Sequence, residues 1–143
     1  MTLTLKKRVV LSTESLDPSA IEKELYTPQY GALLTFSGRV RNHNEGKGVI
    51  RLVYEAYEPM AVKEMEGILQ EADRHFPNTQ SSIHHRLGPL ELGDIAVVVS
   101  VGSAHRKVTF EACQWIIDEL KARVPIFKHE HRHDGEVWVG LGP

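Results

Sequence analysis

The sequence predicts an α+β fold, a mostly antiparallel sheet with helices packed on one face, and three observations lead there. Several runs rich in Val, Ile, Leu and Tyr are bounded by clusters of Gly, Pro, Asn and Asp, as strands are. Two longer stretches place apolar residues three and four apart, the spacing of amphipathic helices lying on a sheet. The strand-like runs fall largely in hairpin order, which favours antiparallel pairing with helices on one side. At 143 residues, 41% hydrophobic and 25% charged, the chain is expected to form one domain over 1–143 rather than two or a disordered chain.

Thr2 to Ser12 alternates loosely and reads as a strand. Asp17 before Pro18 is an N-cap followed by proline at the first helical position, opening a short helix to about Leu25. Gly31 to Arg41 and Val49 to Tyr57 are β-rich and are read as a hairpin around the polar segment from Asn42 to Gly48. Ala61, Met65, Ile68, Leu69, Ala72 and Phe76 mark a helix over Met60 to Phe76. Ser81 to Arg86 and Asp94 to Val101 read as strands joined through Gly88, Pro89 and Gly93. A second long helix runs from about Arg106 to Arg123 and stops before Pro125, and Ile126 to Glu130 with Glu136 to Val139 closes the chain as a hairpin around Asp134 and Gly135.

Seventeen Lys and Arg against nineteen Asp and Glu give a net charge of −2, so no global positive field exists to hold a nucleic acid. The longest apolar run, Ile95 to Val99, is far short of a membrane span, and no signal-peptide core follows Lys6 and Lys7. A single cysteine, Cys113, excludes an internal disulfide and a multi-cysteine zinc site. These features predict a cytoplasmic protein.

Candidate chemistry concentrates in basic residues. On a helical wheel Phe110, Cys113, Ile116, Ile117, Leu120 and Val124 share one face, and Lys121 sits about 40° beyond Ile117 at its edge. Desolvation there would lower the amine's pKa and suit it to proton transfer or nucleophilic attack, against the plainer reading of a lysine that snorkels into water. Ser103, Ala104, His105 and Arg106 stand where a strand ends and this helix begins, a place for a phosphate or carboxylate or for an ordinary serine cap. Arg39 and Arg41 share a strand face by the period of two.

Two further patterns fail their contexts. Gly46 and Lys47 resemble a phosphate loop, but Arg41 and Gly48 stand where that motif needs Gly and Ser or Thr. His129, Glu130 and His133 spell the zinc-protease pattern H-E-x-x-H, yet Pro125 and Gly135 flank it, and on a strand the two histidines lie about 13 Å apart. The same extended reading puts Lys128, Glu130 and Arg132 on the face opposite the histidines, which lets Lys128 turn toward the sheet and the helix of Lys121. Cys113, Trp115 and Trp138 read as packing residues, and His75, His84 and His85 have no partner legible in the sequence. Beside an enzyme, a non-catalytic anion-binding or peptide-binding module and a metal site on His129, His131 and His133 are the other classes these residues allow.

The ordered strings GRVRNHNEG from Gly38, YEAY from Tyr54, HRLGPLELGD from His85, SAHR from Ser103, IDELK ending at Lys121 and PIFKHE from Pro125 closely resemble the large, catalytic subunit of molybdopterin synthase. The resemblance spans roughly Gly31 to Trp138. It implies an α/β-hammerhead-like fold and a sulfurtransferase that converts cyclic pyranopterin monophosphate to molybdopterin. The sulfur comes from the C-terminal Gly-Gly thiocarboxylate of a small ubiquitin-like partner, in a heterotetramer built on a central homodimer. It further implies that Arg39, Arg41, His105 and Arg106 bind substrate, with His129 and Glu130 at the end of PIFKHE. Lys121 and Lys128 are then the catalytic pair, Lys121 the stronger candidate, with no metal or other cofactor. The chain departs from the family after Trp138, where Val139, Gly140, Leu141, Gly142 and Pro143 replace a stretch that often carries a basic residue, and in PIFK for the commoner PIWK.

Overall fold

The structure, a computed structural model, describes residues 8–44 and 47–141. The part of the first predicted strand before Arg8 and the centre of the polar segment at 45–46 lie outside the described residues. The elements run β1 (Val9–Ser12), α1 (Pro18–Leu25), β2 (Ala32–Arg39), β3 (His43–Asn44), β4 (Lys47–Ala56), α2 (Glu58–His75), β5 (Thr79–Arg86), β6 (Gly88–Glu91), β7 (Ile95–Ser103), α3 (Arg106–Arg123), β8 (Ile126–Arg132) and β9 (Gly135–Leu141).

The helices begin and end where the sequence places them. The Asp17 side chain accepts from the backbone N–H groups of Ser19 and Ala20, capping α1 ahead of Pro18. Helix α2 buries Ala61, Met65, Ile68, Leu69 and Ala72, the predicted stripe. Helix α3 stops at Arg123, with Val124 extended before Pro125. Arg123 ties α3 to α2 through Glu64 and Glu71 and reaches Glu119 on its own helix, and these carboxylates raise its pKa.

The strands divide between two sheets, one in the order β1-β5-β7-β2 and one in the order β3-β4-β8-β9 with β6 also on β4. All pairs are antiparallel except β1 with β5. This corrects the expected hairpin of Gly31–Arg41 with Val49–Tyr57, because β2 pairs with β7 whereas β4 pairs with β8. The polar segment instead folds on itself, His43 opposite Gly48 and Asn44 opposite Lys47, and carries the chain from one sheet to the other. Strand β6 stands where Gly88 and Pro89 predict only a connection. It is a short edge strand on β4, where a proline without a donor is tolerated, and Gly88 takes the positive φ of 88° that turns the chain into it.

Successive residues of β7 serve opposite faces. Val97, Val99 and Val101 join α2, α3 and the second sheet in the main core cluster, whereas Val98 is buried outside that cluster, as are Ile21 and Leu25 of α1. Packing on one face therefore holds for α2 and α3, and α1 covers the other. Under α1, Glu22 accepts from Thr35 at 2.8 Å and the Thr35 hydroxyl meets that of Ser100 at 3.0 Å, whereas the buried hydroxyl of Ser82, opposite Ser100 on the same face, has no hydrogen-bond partner among the described residues. The buried stripe of α3 is also rotated from expectation. Thr109, Ala112, Cys113, Ile116 and Leu120 face inward, while Phe110 is 59% exposed. Burying Thr109 costs little because its hydroxyl donates to the His105 carbonyl at 2.9 Å.

His85 is fully buried, edge-on to the ring of Tyr54 at 4.9 Å, with Nδ1 2.8 Å from the Arg86 carbonyl. Burial holds its pKa down at about 4. A folded-state value below the unfolded one means full stability above about pH 6.5, lost as pH falls toward 4, and a contribution of order 3 kcal/mol. Urea unfolding between pH 7 and 4 should show this slope, and His85→Phe should flatten it. Leu120→Ala, which removes a side chain 1% exposed, should cost about 2–5 kcal/mol in the same assay at pH 7.

Candidate active site

A cavity of about 290 Å³ lies where the two sheets meet the C-terminal part of α3. Strand β2 delivers one wall. Gly38 opposes Val97 and Arg39 opposes Ile95, so Ala96 is an extra residue that bulges the ladder. A Cβ on Gly38 would stand 2.7 Å from the Val97 side chain, so only glycine allows this approach. Beyond the bulge Arg39 and Arg41 both line the cavity, Arg39 donating from Nη1 to the Gly93 carbonyl at 2.6 Å.

The opposite wall comes from β4 and β8, in a register that sets Leu52 against Glu130 and Tyr54 against Lys128. With the period of two, these four side chains share the inner face and line the cavity. Helix α3 adds Ile117, Leu120 and Lys121, and Phe36, Val97 and Val99 complete an apolar lining. The cavity thus joins an apolar wall to four cationic side chains, Arg39, Arg41, Lys121 and Lys128, with Glu130 the one carboxylate among the described lining residues.

Lys128 is half-buried and its pKa is lowered, first by burial, with Lys121, Arg41 and Arg132 pushing the same way and Glu130 opposing. Lys121 is exposed, so the burial expected of it falls to Lys128 instead. Tyr54 is pushed up to about 12, first by burial and then by Glu130, and its phenol stays a neutral donor. Glu130 is 2% exposed and accepts from Nε and Nη2 of Arg132, both at 2.6 Å. Such an arrangement offers its charges to an anion and its apolar wall to a planar or apolar group.

Not every predicted site residue converges here. His105 caps α3 by its backbone and Arg106 opens the helix, so Arg106 lies about 22 Å along the axis from Lys121. Ser103, considered as the cap, is the last residue of β7. His129 points to the other face of β8 from Lys128, its ring 4.9 Å from that of His131. The H-E-x-x-H letters fall on a strand and its turn, the wrong geometry for the zinc-protease pattern. Among the described residues no group of three or more His, Cys, Asp or Glu is placed to hold a metal ion. No described helix is long and apolar enough to cross a membrane. Tyr54, Phe36 and Gly38 carry no local signal of the site, since only the strand pairing and the packing of the two sheets bring them to it.

A cavity with four cations and an apolar wall in an α+β domain has the character of a binding site for an anionic small molecule. The model of the MoaE protein family matches residues 11–123. A molybdopterin synthase catalytic subunit from Pyrococcus abyssi is 48% identical over 109 residues, 76% of this chain and 74% of that one. A crystal structure of molybdopterin synthase from Staphylococcus aureus superposes with a TM-score of 0.89 at 37% identity, covering 94% of this chain and 98% of that one. A chain in the complex of subunits 1 and 2 of molybdopterin-converting factor from Helicobacter pylori shares the fold, with a TM-score of 0.76 at 21% identity over 92% of this chain and 89% of that one. The chain belongs to the MoaE family, that of the molybdopterin synthase catalytic subunits.

Cys113 is buried on α3, and burial pushes its thiol up to about 11. The native protein should therefore resist a thiol-specific reagent at pH 8 and react with one equivalent once unfolded in urea.

Proposed function

We propose that this chain is the catalytic subunit of a cytoplasmic molybdopterin synthase. It moves sulfur from the C-terminal thiocarboxylate of a small ubiquitin-like partner to cyclic pyranopterin monophosphate, forming the dithiolene of molybdopterin. The observation that carries this reading is the convergence of Lys121 and Lys128 with Arg39 and Arg41 on one partly apolar cavity, in a chain of this family. The arginines suit the phosphate and the thiocarboxylate, and the apolar wall suits the fused rings of the substrate. The lowered pKa of Lys128 enlarges the fraction of free amine that can take a proton as sulfur is transferred, while Lys121 at the rim is placed to donate one or to attack the incoming acyl group.

His105 and Arg106 join this chemistry through a second copy of the chain. Between Arg106 and Lys121 the middle of α3 and the edge strand β2 expose an apolar groove lined by Leu34, Phe36, Phe110 and Ile117. A two-fold axis through that groove lays α3 antiparallel to its copy and brings each helix start to the other's Lys121 end, which suits the homodimer at the centre of a heterotetramer. Arg39 and Arg41 of one copy then meet His105 and Arg106 of the other around one phosphate.

Reconstitution of the chain with a thiocarboxylated small subunit and cyclic pyranopterin monophosphate should yield molybdopterin, read as the fluorescence of its oxidised derivative. Lys121→Ala should lower turnover by 10²-fold or more, about the contribution of one acid–base group. Absence of product from the unaltered chain with the partner bound would overturn the reading. Lys121→Ala and Arg106→Ala, each inactive alone, should regain about a quarter of the unaltered activity when mixed and allowed to exchange subunits. A mixture as inactive as its parts would show that His105 and Arg106 do not serve the second copy's site.

A further inference from the structure

Tyr54 is the one uncharged polar side chain among the described residues that line the cavity. The exposure of that lining falls from the rim inward. Arg39, Arg41 and Lys121 are exposed and Lys128 is half-buried, whereas Tyr54 and Glu130 are 4% and 2% exposed. The cations that suit a phosphate therefore stand at the mouth, and the phenol stands at the inner end beside the apolar wall.

Three strands hold the phenol there. Across the ladder with β8, Tyr54 faces Lys128, so the two side chains leave the inner face with Cβ atoms about 5 Å apart. Across the ladder with β6 it faces Gly88, which brings no side chain to the same face. On β5, His85 packs against the ring at 4.9 Å and 74°, and His85 pairs in turn with Val97, itself part of the cavity lining. The ring is thus fixed by its neighbours, yet no hydrogen bond joins its hydroxyl to another described residue. Nor is that hydroxyl sealed from solvent as Ser82 Oγ and His85 Nε2 are. Tyr54 also borders an open hollow between β1, β4 and the start of α2. Glu130, whose charge acts on the phenol, lines the cavity and not the hollow, which sets the hydroxyl on the cavity side.

We propose that Tyr54 is a specificity-determining residue, whose phenol O–H donates to a hydrogen-bond acceptor on the ring system of the substrate while the cations at the mouth hold its phosphate. The inference rests on the proposed function for the identity of that ring system. Guanidinium and ammonium groups bind any anion of suitable size, so the four cations by themselves do not distinguish a pterin phosphate from another phosphate ester. A neutral donor fixed at the inner end does distinguish them. A ligand without an acceptor there leaves the phenol unpaired once water is displaced, whereas a ligand with one gains a bond whose direction the held ring sets. With its pKa pushed up to about 12, the phenol remains a donor throughout the neutral range.

Tyr54→Phe keeps the ring and its packing on His85 and removes only the oxygen. The test is calorimetric titration of the full chain with cyclic pyranopterin monophosphate and, separately, with inorganic phosphate, alongside urea unfolding. Tyr54→Phe should weaken pterin binding by about fivefold to tenfold, as for one hydrogen bond between uncharged groups, with phosphate affinity and the urea midpoint unchanged. In reconstituted turnover KM for the pterin should rise by the same factor at constant kcat, since the bond is made equally in the bound substrate and the transition state. Undiminished pterin affinity would overturn the inference. So would a fall in kcat at unchanged KM, the mark of a proton donor in the chemical step. Equal losses for pterin and phosphate with a lowered urea midpoint would overturn it as well, because the hydroxyl would then serve the fold. These results leave the proposed function standing. An unaltered chain that binds phosphate but no pterin, and makes no molybdopterin, would instead sink the proposed function and this inference with it.

Discussion

The site depends above all on the register between β4 and β8. Antiparallel pairing of Leu52 with Glu130 and of Tyr54 with Lys128 turns these four side chains inward together. Because side chains alternate along a strand, a slip of one residue would turn His129 and His131 inward and send Lys128 and Glu130 to the other face. The apolar members of the pairing oppose such a slip. Leu52, Tyr54 and Ile126 are buried in the core cluster shared with α2, α3 and the first sheet, so the packing that stabilises the fold is also what aims the lysine.

The second wall obeys a different constraint. Strand β2 belongs to the other sheet, and its ladder with β7 breaks by one residue at Gly38 and Arg39. The bulge releases Arg39 and Arg41 to the cavity, and the absent side chain of Gly38 lets Val97 close the floor beneath them. The walls are thus built by separate sheets and meet only because α2 and α3 pack both into one core. Helix α3 gives Leu120 to that core, Lys121 to the cavity and Ile117 to both the cavity and the outer groove.

Gathering Arg39, Arg41, Lys121 and Lys128 around one cavity is unfavourable for the empty protein, since like charges in a partly dry space repel. The arrangement becomes favourable when an anion enters. Glu130 moderates the repulsion without filling the cavity with negative charge, because Arg132 takes up much of its field from behind. Burial lowers the proton affinity of Lys128 and the carboxylate raises it.

Local signals in the chain determined a great deal. The caps and breakers at Asp17, Pro18 and Pro125 and the three- and four-residue spacing of apolar side chains bound the helices, because these effects act within a few residues. Alternation along Ile126 to Arg132 was enough to put Lys128 and Glu130 on one face and the histidines on the other, and ordered strings such as GRVRNHNEG and PIFKHE carried the family. Tertiary structure decided what depends on distant pairing. It alone fixed that β2 joins β7 rather than β4, that α1 covers the far face of its sheet, and that Phe110 lies outside while Thr109 lies inside. It also separated Lys121 from Arg106 by the length of a helix and gave the burial expected of Lys121 to Lys128, since neither strand partners nor desolvation are written in local spacing.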